Sequence, residues 1–138
     1  MNKKNVEILW EDFSIPGIEV PTSEGIIDLH NGVYFAGMAI DTYKNTLSLI
    51  FECHGERLFD DKEYTCVEFC FINFYGIQVT ERNEKIPLSE DATLEYVSMD
   101  KGNYPYVSFI FAFRGERTFY ITAENMKCFL SSSIKNRS

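Results

Sequence analysis

The stretch Cys66–Val79, C-V-E-F-C-F-I-N-F-Y-G-I-Q-V, constrains the fold more than any other part of the chain. In an extended backbone Val67, Phe69 and Phe71 point to one side and Cys66, Cys70, Ile72 and Phe74 to the other, so both faces are largely apolar. Such a strand needs neighbours on both edges and material above and below it. It is read as the interior strand of a β-rich core, with the other segments arranged to cover it.

The flanking segments supply the neighbours. Val33–Ile40 has a strand pattern in which Gly37 tolerates a bulge or a close neighbour, Asp41–Asn45 is a polar turn, and Thr46–Cys53 returns with Leu47, Leu49, Phe51 and Cys53 on one face. A charged loop containing Asp60, Asp61, Lys62 and Glu63 leads into the central strand, and Glu81–Asp91 with Pro87 is a second loop. Thr93–Met99 is a further strand, Asp100–Asn103 a turn, and Tyr106–Phe113 alternates with Val107, Phe109, Phe111 and Phe113 facing the core. Arg117–Thr122 pairs back across Arg114–Gly115, and Ala123–Leu130 reads equally as strand or short helix. Before the sheet, Val6, Leu9, Trp10 and Phe13 fall at helical spacing within residues 5–14, which predicts a short N-terminal helical element. Pro16, Gly17, Pro21 and Gly25 mark a surface loop, and Asp28–Gly32 is a turn into the first strand. The expectation is one mainly β domain over residues 1–138: an antiparallel sheet or flattened sandwich of about six to eight strands. Residues 1–32 form an acidic lead with a loop, 33–130 the β core, and 131–138 a frayed tail.

Shifting the chain by sixty residues aligns L-S-L-I-F-E-C-H-G-E-R-L-F at 47–59 with V-S-F-I-F-A-F-R-G-E-R-T-F at 107–119, identical at seven of thirteen positions. A duplicated strand, a glycine turn able to take positive φ and a returning Glu-Arg pair would produce this match. So would the small vocabulary of Phe-rich strands joined by glycine turns. Glu-Arg at a turn is usually a solvated pair, which is the plainer role for Arg57 and Arg117.

Charge narrows the function classes. The chain carries 13 Lys and Arg against 21 Asp and Glu, a net charge of −8, and no Lys or Arg lies between Lys4 and Lys44. Glu7, Glu11, Asp12, Glu19, Glu24, Asp28 and Asp41 fill that window. A field of that sign repels nucleic acid and anionic membrane and draws in a basic partner, although it also serves simple solubility. No apolar run reaches the roughly 18 residues of a membrane span, and the N-terminus has no signal-peptide core, so a cytoplasmic protein is expected. Four cysteines inside apolar strands fit buried, reduced thiols.

No residue pattern argues for catalysis or a cofactor. Cys53, His54, Cys66 and Cys70 look like zinc ligands, but Cα atoms of Cys66 and Cys70 on one strand stand roughly 13 Å apart, too far to share an ion. His54 follows Cys53 and projects to the opposite face, which makes a poor nucleophile–base pair. Glu68 stands alone in an apolar strand, either as an acid with a perturbed pKa or as a residue at the sheet margin. The nucleotide-binding and common hydrolase motifs are missing. Three readings remain: a noncatalytic protein-binding module, a small-molecule binder or enzyme with an aromatic-lined pocket, and a structural subunit that forms oligomers.

The order of an acidic lead with a Trp, L-H-N-G before the first strand, K-N-T-L-S-L-I-F, C-V-E-F-C-F-I-N-F-Y-G-I-Q-V and a late F-Y-I-T-A strand resembles a bacterial immunity protein family of polymorphic toxin systems. The resemblance covers roughly residues 28–123. Asn31 follows His30 where the family pattern has an Asp, so the plainer role of His30-Asn31 is a capped turn. The resemblance implies a noncatalytic protein that neutralises a basic toxin by binding it. Glu11, Asp12, Glu19, Glu24, Asp28 and His30 are the candidate partner-binding residues, and no metal or cofactor is expected.

Overall fold

The computed structural model describes residues 3–9 and 19–132. Among these residues nine strands form: β1 (Lys4–Val6), β2 (Glu19–Thr22), β3 (Gly25–Asp28), β4 (Val33–Asp41), β5 (Thr46–Cys53), β6 (Cys66–Val79), β7 (Leu94–Asn103), β8 (Tyr106–Phe113) and β9 (Thr118–Ser131). Seven of them make one antiparallel sheet in the order β4-β5-β6-β9-β8-β7, with β1 added to β9, while β2 and β3 form a separate hairpin. The interior position expected of Cys66–Val79 is observed, since β6 lies between β5 and β9. Its inward Val67, Phe69 and Phe71 are fully buried; of the residues expected on the other face, Cys66 and Ile72 are half-buried, Cys70 is buried, and Phe74 packs against the core instead.

The topology contains a pseudo-twofold relation that the matching segments foreshadow. β4-β5-β6 and β7-β8-β9 are two three-stranded meanders joined along β6 and β9, and the matching segments are their middle strands, β5 and β8. Leu47 pairs with Phe71 and Phe51 with Val67 in the first meander, as Val107 pairs with Ala123 and Phe111 with Phe119 in the second. The connections differ. β8 turns directly into β9, but β5 reaches β6 through residues 54–65, so the duplication holds for the strands and not for the turns. Neither matching glycine has positive φ; in the β8–β9 turn that conformation falls on Glu116, at 73°. Gly115 is required for space instead, because a Cβ there would collide with Asp91 Oδ1.

The sheet curls tightly around its aromatic face. Rings of Phe51 on β5 and Phe111 on β8 stack with centroids 6.4 Å apart although two strands separate them, whereas a flat sheet would hold those strands roughly 14 Å apart. Phe69, Phe71, Phe109 and Phe113 fill the same interior, and no Phe among the described residues is exposed. At one end the curl nearly closes, where Phe35 N–H donates to the Ala92 carbonyl (2.8 Å) just ahead of β7.

Several local expectations change. The expected N-terminal helix is replaced over its described part by β1, followed by a bridge from Ile8 to Thr22; residues 10–14 lie outside the described residues. The non-local partner, β9, overrides the helical spacing. The loop expected before residue 25 is instead the β2–β3 hairpin, and it belongs to the core, with Val20, Ile27 and Leu29 at 0–2% exposure. Pro21 is tolerated because this strand uses its carbonyl, which accepts from Leu9 N–H at 2.7 Å. Asp100–Asn103 continues β7 through a register shift, and the turn falls at Tyr104-Pro105. Ala123–Leu130 is strand throughout, paired with β6.

Candidate interaction surface

The acidic N-terminal window does not form one free patch. Glu24 accepts from Lys4 at 3.1 Å, and this bond, with the attraction of the two charges, raises the Lys4 pKa. Asp28 Oδ1 accepts the backbone N–H groups of His30 and Asn31, both at 2.9 Å, which makes it the organiser of its own turn. His30 Nδ1 lies 2.6 Å from the Leu94 carbonyl. A carbonyl only accepts, so that nitrogen carries the proton and ties the turn to β7. Glu19 is exposed at the start of β2, and Glu11 and Asp12 lie outside the described residues. Of the six candidates, Asp28 and His30 thus have structural work, Glu24 is paired, and Glu19 stands at the surface.

Glu68 is not at the sheet margin but on the outer face between Ile50 and Phe129. Its two oxygens are engaged by Ser48 Oγ (2.6 Å) and Lys3 Nζ (2.7 Å), so it anchors the N-terminus to the sheet. The four cysteines are free thiols spread over β5, β6 and β9. Burial, with a smaller contribution from Glu68, pushes the Cys128 thiol up to about 12, and burial raises Cys66 as well. Among the described residues no three His, Cys, Asp or Glu side chains are grouped to hold a metal ion. Arg57 pairs with Glu63 in an exposed loop, whereas Arg117 borders a hollow of about 220 Å³ with Phe35, Phe113 and Phe119, so the two matching arginines occupy unlike surroundings.

The feature that sequence alternation misses is a set of outward tyrosines. Tyr43 at the β4–β5 turn is 96% exposed, Tyr75 at a bulge in β6 74%, and Tyr104 at the β7–β8 turn 93%. Tyr75 packs on Tyr106, ring centroids 5.0 Å apart. The Asn45 carbonyl accepts from Phe74 N–H at 3.3 Å, which holds the β4–β5 turn against the bulge. Tyr43 sits among polar turn residues and Tyr104 precedes a proline, and those neighbours were the only available hint of exposure. Tyrosine offers a large contact area at low entropic cost together with a polar tip. A separate cleft of about 390 Å³ opens where β9 leaves β8 before meeting β1, with Val6, Met99, Phe109 and Met126 in its lining.

These features define an all-β chain built on a curled antiparallel sheet, with no helix among the described residues long and apolar enough to cross a membrane. No family model and no curated protein matches the chain. Among solved structures it is similar to an uncharacterized protein from Neisseria gonorrhoeae, with a TM-score of 0.50 and 14% identity over 93% of this chain and 97% of that one. The likeness is one of fold.

Proposed function

We propose that this chain is a noncatalytic protein-binding module of the immunity type, which neutralises a basic protein by covering it. The observation that carries this reading is the contrast between inward Phe and outward Tyr: Tyr43, Tyr75 and Tyr104 stand 96%, 74% and 93% exposed on a chain of net charge −8. Exposed tyrosines supply anchors for a partner, and the surrounding negative field speeds the encounter and sets its sign. Capture of one basic protein by the tagged chain at low salt, its release at high salt, and its loss from a Tyr43→Ser/Tyr75→Ser/Tyr104→Ser variant are the expected results. Charge reversal by Glu19→Lys with Glu24→Lys should weaken the same complex; unchanged affinity would remove the acidic surface from the reading. The cleft beside β1, where Val6, Met99 and Met126 stand beside Glu7, Glu124 and Lys127, favours a second reading, a small-molecule binder, which a ligand-induced rise in melting temperature abolished by Met126→Trp would support.

A further inference from the structure

The pseudo-twofold relation leaves one strand edge unfilled. β9 runs past the end of β8, and β1 occupies the vacated edge, pairing antiparallel with Cys128–Leu130. β6 runs past the end of β5 in the same way, since its last β5 partner is Ile72 and it continues to Val79. No strand pairs with that overhang on its β5 side among the described residues.

The main-chain groups on this edge can be assigned. Thr80 N–H donates to the Thr118 carbonyl of the β9 side at 3.0 Å. Alternation along an antiparallel ladder then directs Gly76 and Gln78 toward β9, and Ile77 and Val79 toward the open edge. Space is available, since a Cβ on Gly76 would meet nothing within 4 Å and Val79 is 47% exposed. The edge also lacks the usual protection of lysine or proline: no Lys, Arg or Pro occurs between Lys62 and Arg82. Arg82 itself is held by Asp91 at 2.7 Å and by the Ile86 carbonyl at 2.6 Å.

We propose that the β6 edge at Ile77 and Val79 docks an extended, lysine-bearing strand of the protein partner, antiparallel to β6, as β1 docks on β9. The chemistry of the occupant follows from the filled edge. β1 brings Lys3 to Glu68 and Lys4 to Glu24, so a basic strand is what this acidic sheet already accepts. At the open edge the exposed Glu81 follows directly and is the carboxylate that meets the strand; at the adjoining β4–β5 turn Asp41 Oδ1 accepts the Tyr43 and Lys44 N–H groups at 3.0 and 3.1 Å, and Lys44 is exposed beside it. A second copy is disfavoured because pairing this edge with itself brings two chains of net charge −8 together.

The inference rests on the protein-binding reading and deepens it. The isotopically labelled full chain is titrated at low salt with an acetylated hexapeptide of alternating lysine and valine, with a glutamate–valine peptide as control. Saturable amide shifts and slowed hydrogen exchange at Ile77 and Val79, specific to the lysine peptide, are expected. Val79→Pro removes one outward donor at an edge position that tolerates proline and should weaken binding roughly two- to tenfold. Shifts confined to the β2–β3 hairpin would overturn strand docking while leaving an acidic binding surface in place. Protection of the same amides in the peptide-free chain, with a concentration-dependent doubling of mass, would overturn it in favour of a second copy. No shift at any residue with millimolar peptide would overturn both.

Discussion

The two meanders, β4-β5-β6 and β7-β8-β9, share strand order, register and interior, yet differ at their margins. Phe51 and Phe111 occupy equivalent places and meet across the curl, and the pairing of β6 with β9 joins the two meanders. The first meander is closed by residues 54–65, and no strand among the described residues pairs with its overhang beyond Phe74 on the β5 side; the second is closed by a tight turn, and its overhang receives β1. The shared part is what a hydrophobic interior requires, whereas the differences set which surfaces remain available to a partner. Function is therefore to be sought where the halves disagree.

Phe51→Ala and Phe111→Ala should each cost about 3–5 kcal/mol in urea unfolding. Because the rings touch, the double variant should cost less than their sum. A twofold difference between the single variants would break the equivalence.

The thiols separate the two central strands by pH. Cys128, inward on β9, keeps its proton in the fold up to about 12, from an ordinary value of 9.0. The unfolded chain loses that proton first, so the stabilisation is complete below pH 9 and is lost as pH rises through the folded value, by up to about 4 kcal/mol. Cys66, outward on β6, is shifted in the same direction, with a Ser131 hydrogen bond opposing the effect of burial. Cys128→Ala should thus flatten alkaline destabilisation more than Cys66→Ala does; equal slopes would place the two thiols in like environments.

What could be read in advance follows from whether a residue's partner is local. The limits of β5, β6 and β8 were legible because eight or more residues of alternating apolar side chains, or in β6 of apolar side chains on both faces, leave little choice. β1 was not, because Lys4–Val6 is a strand only by virtue of β9, more than a hundred residues away. Pro21 and Gly25 looked like breakers, yet Gly25 at φ 145° forms the β2–β3 turn with the Phe59 ring packed over it. The roles of Asp28 and His30 became visible only with the turn and the Leu94 carbonyl in place. Tyrosine escaped because an alternation count treats it as apolar, and an open edge escapes any sequence pattern because it depends on which strands arrive beside it.

The matching glycines and arginines sharpen the comparison with smaller effects. Gly115→Ala forces a Cβ into Asp91 and should cost about 1–3 kcal/mol, while Gly55→Ala, with nothing within 4 Å, should stay within about 0.5 kcal/mol. The arginines divide the same way with less energy at stake. Arg57 makes a 3.6 Å pair with a Glu63 side chain that is 91% exposed, so Arg57→Ala should change stability by less than about 0.5 kcal/mol. Arg117 borders a hollow with Phe35, Phe113 and Phe119, and Arg117→Ala should cost about 1 kcal/mol through lost packing of its stem. Arg117→Met, which keeps the stem and removes the charge, should recover most of that loss. If the methionine variant is as unstable as the alanine one, the guanidinium and not the stem is what this half of the sheet uses, and the two matching arginines then differ in charge chemistry as well as in packing.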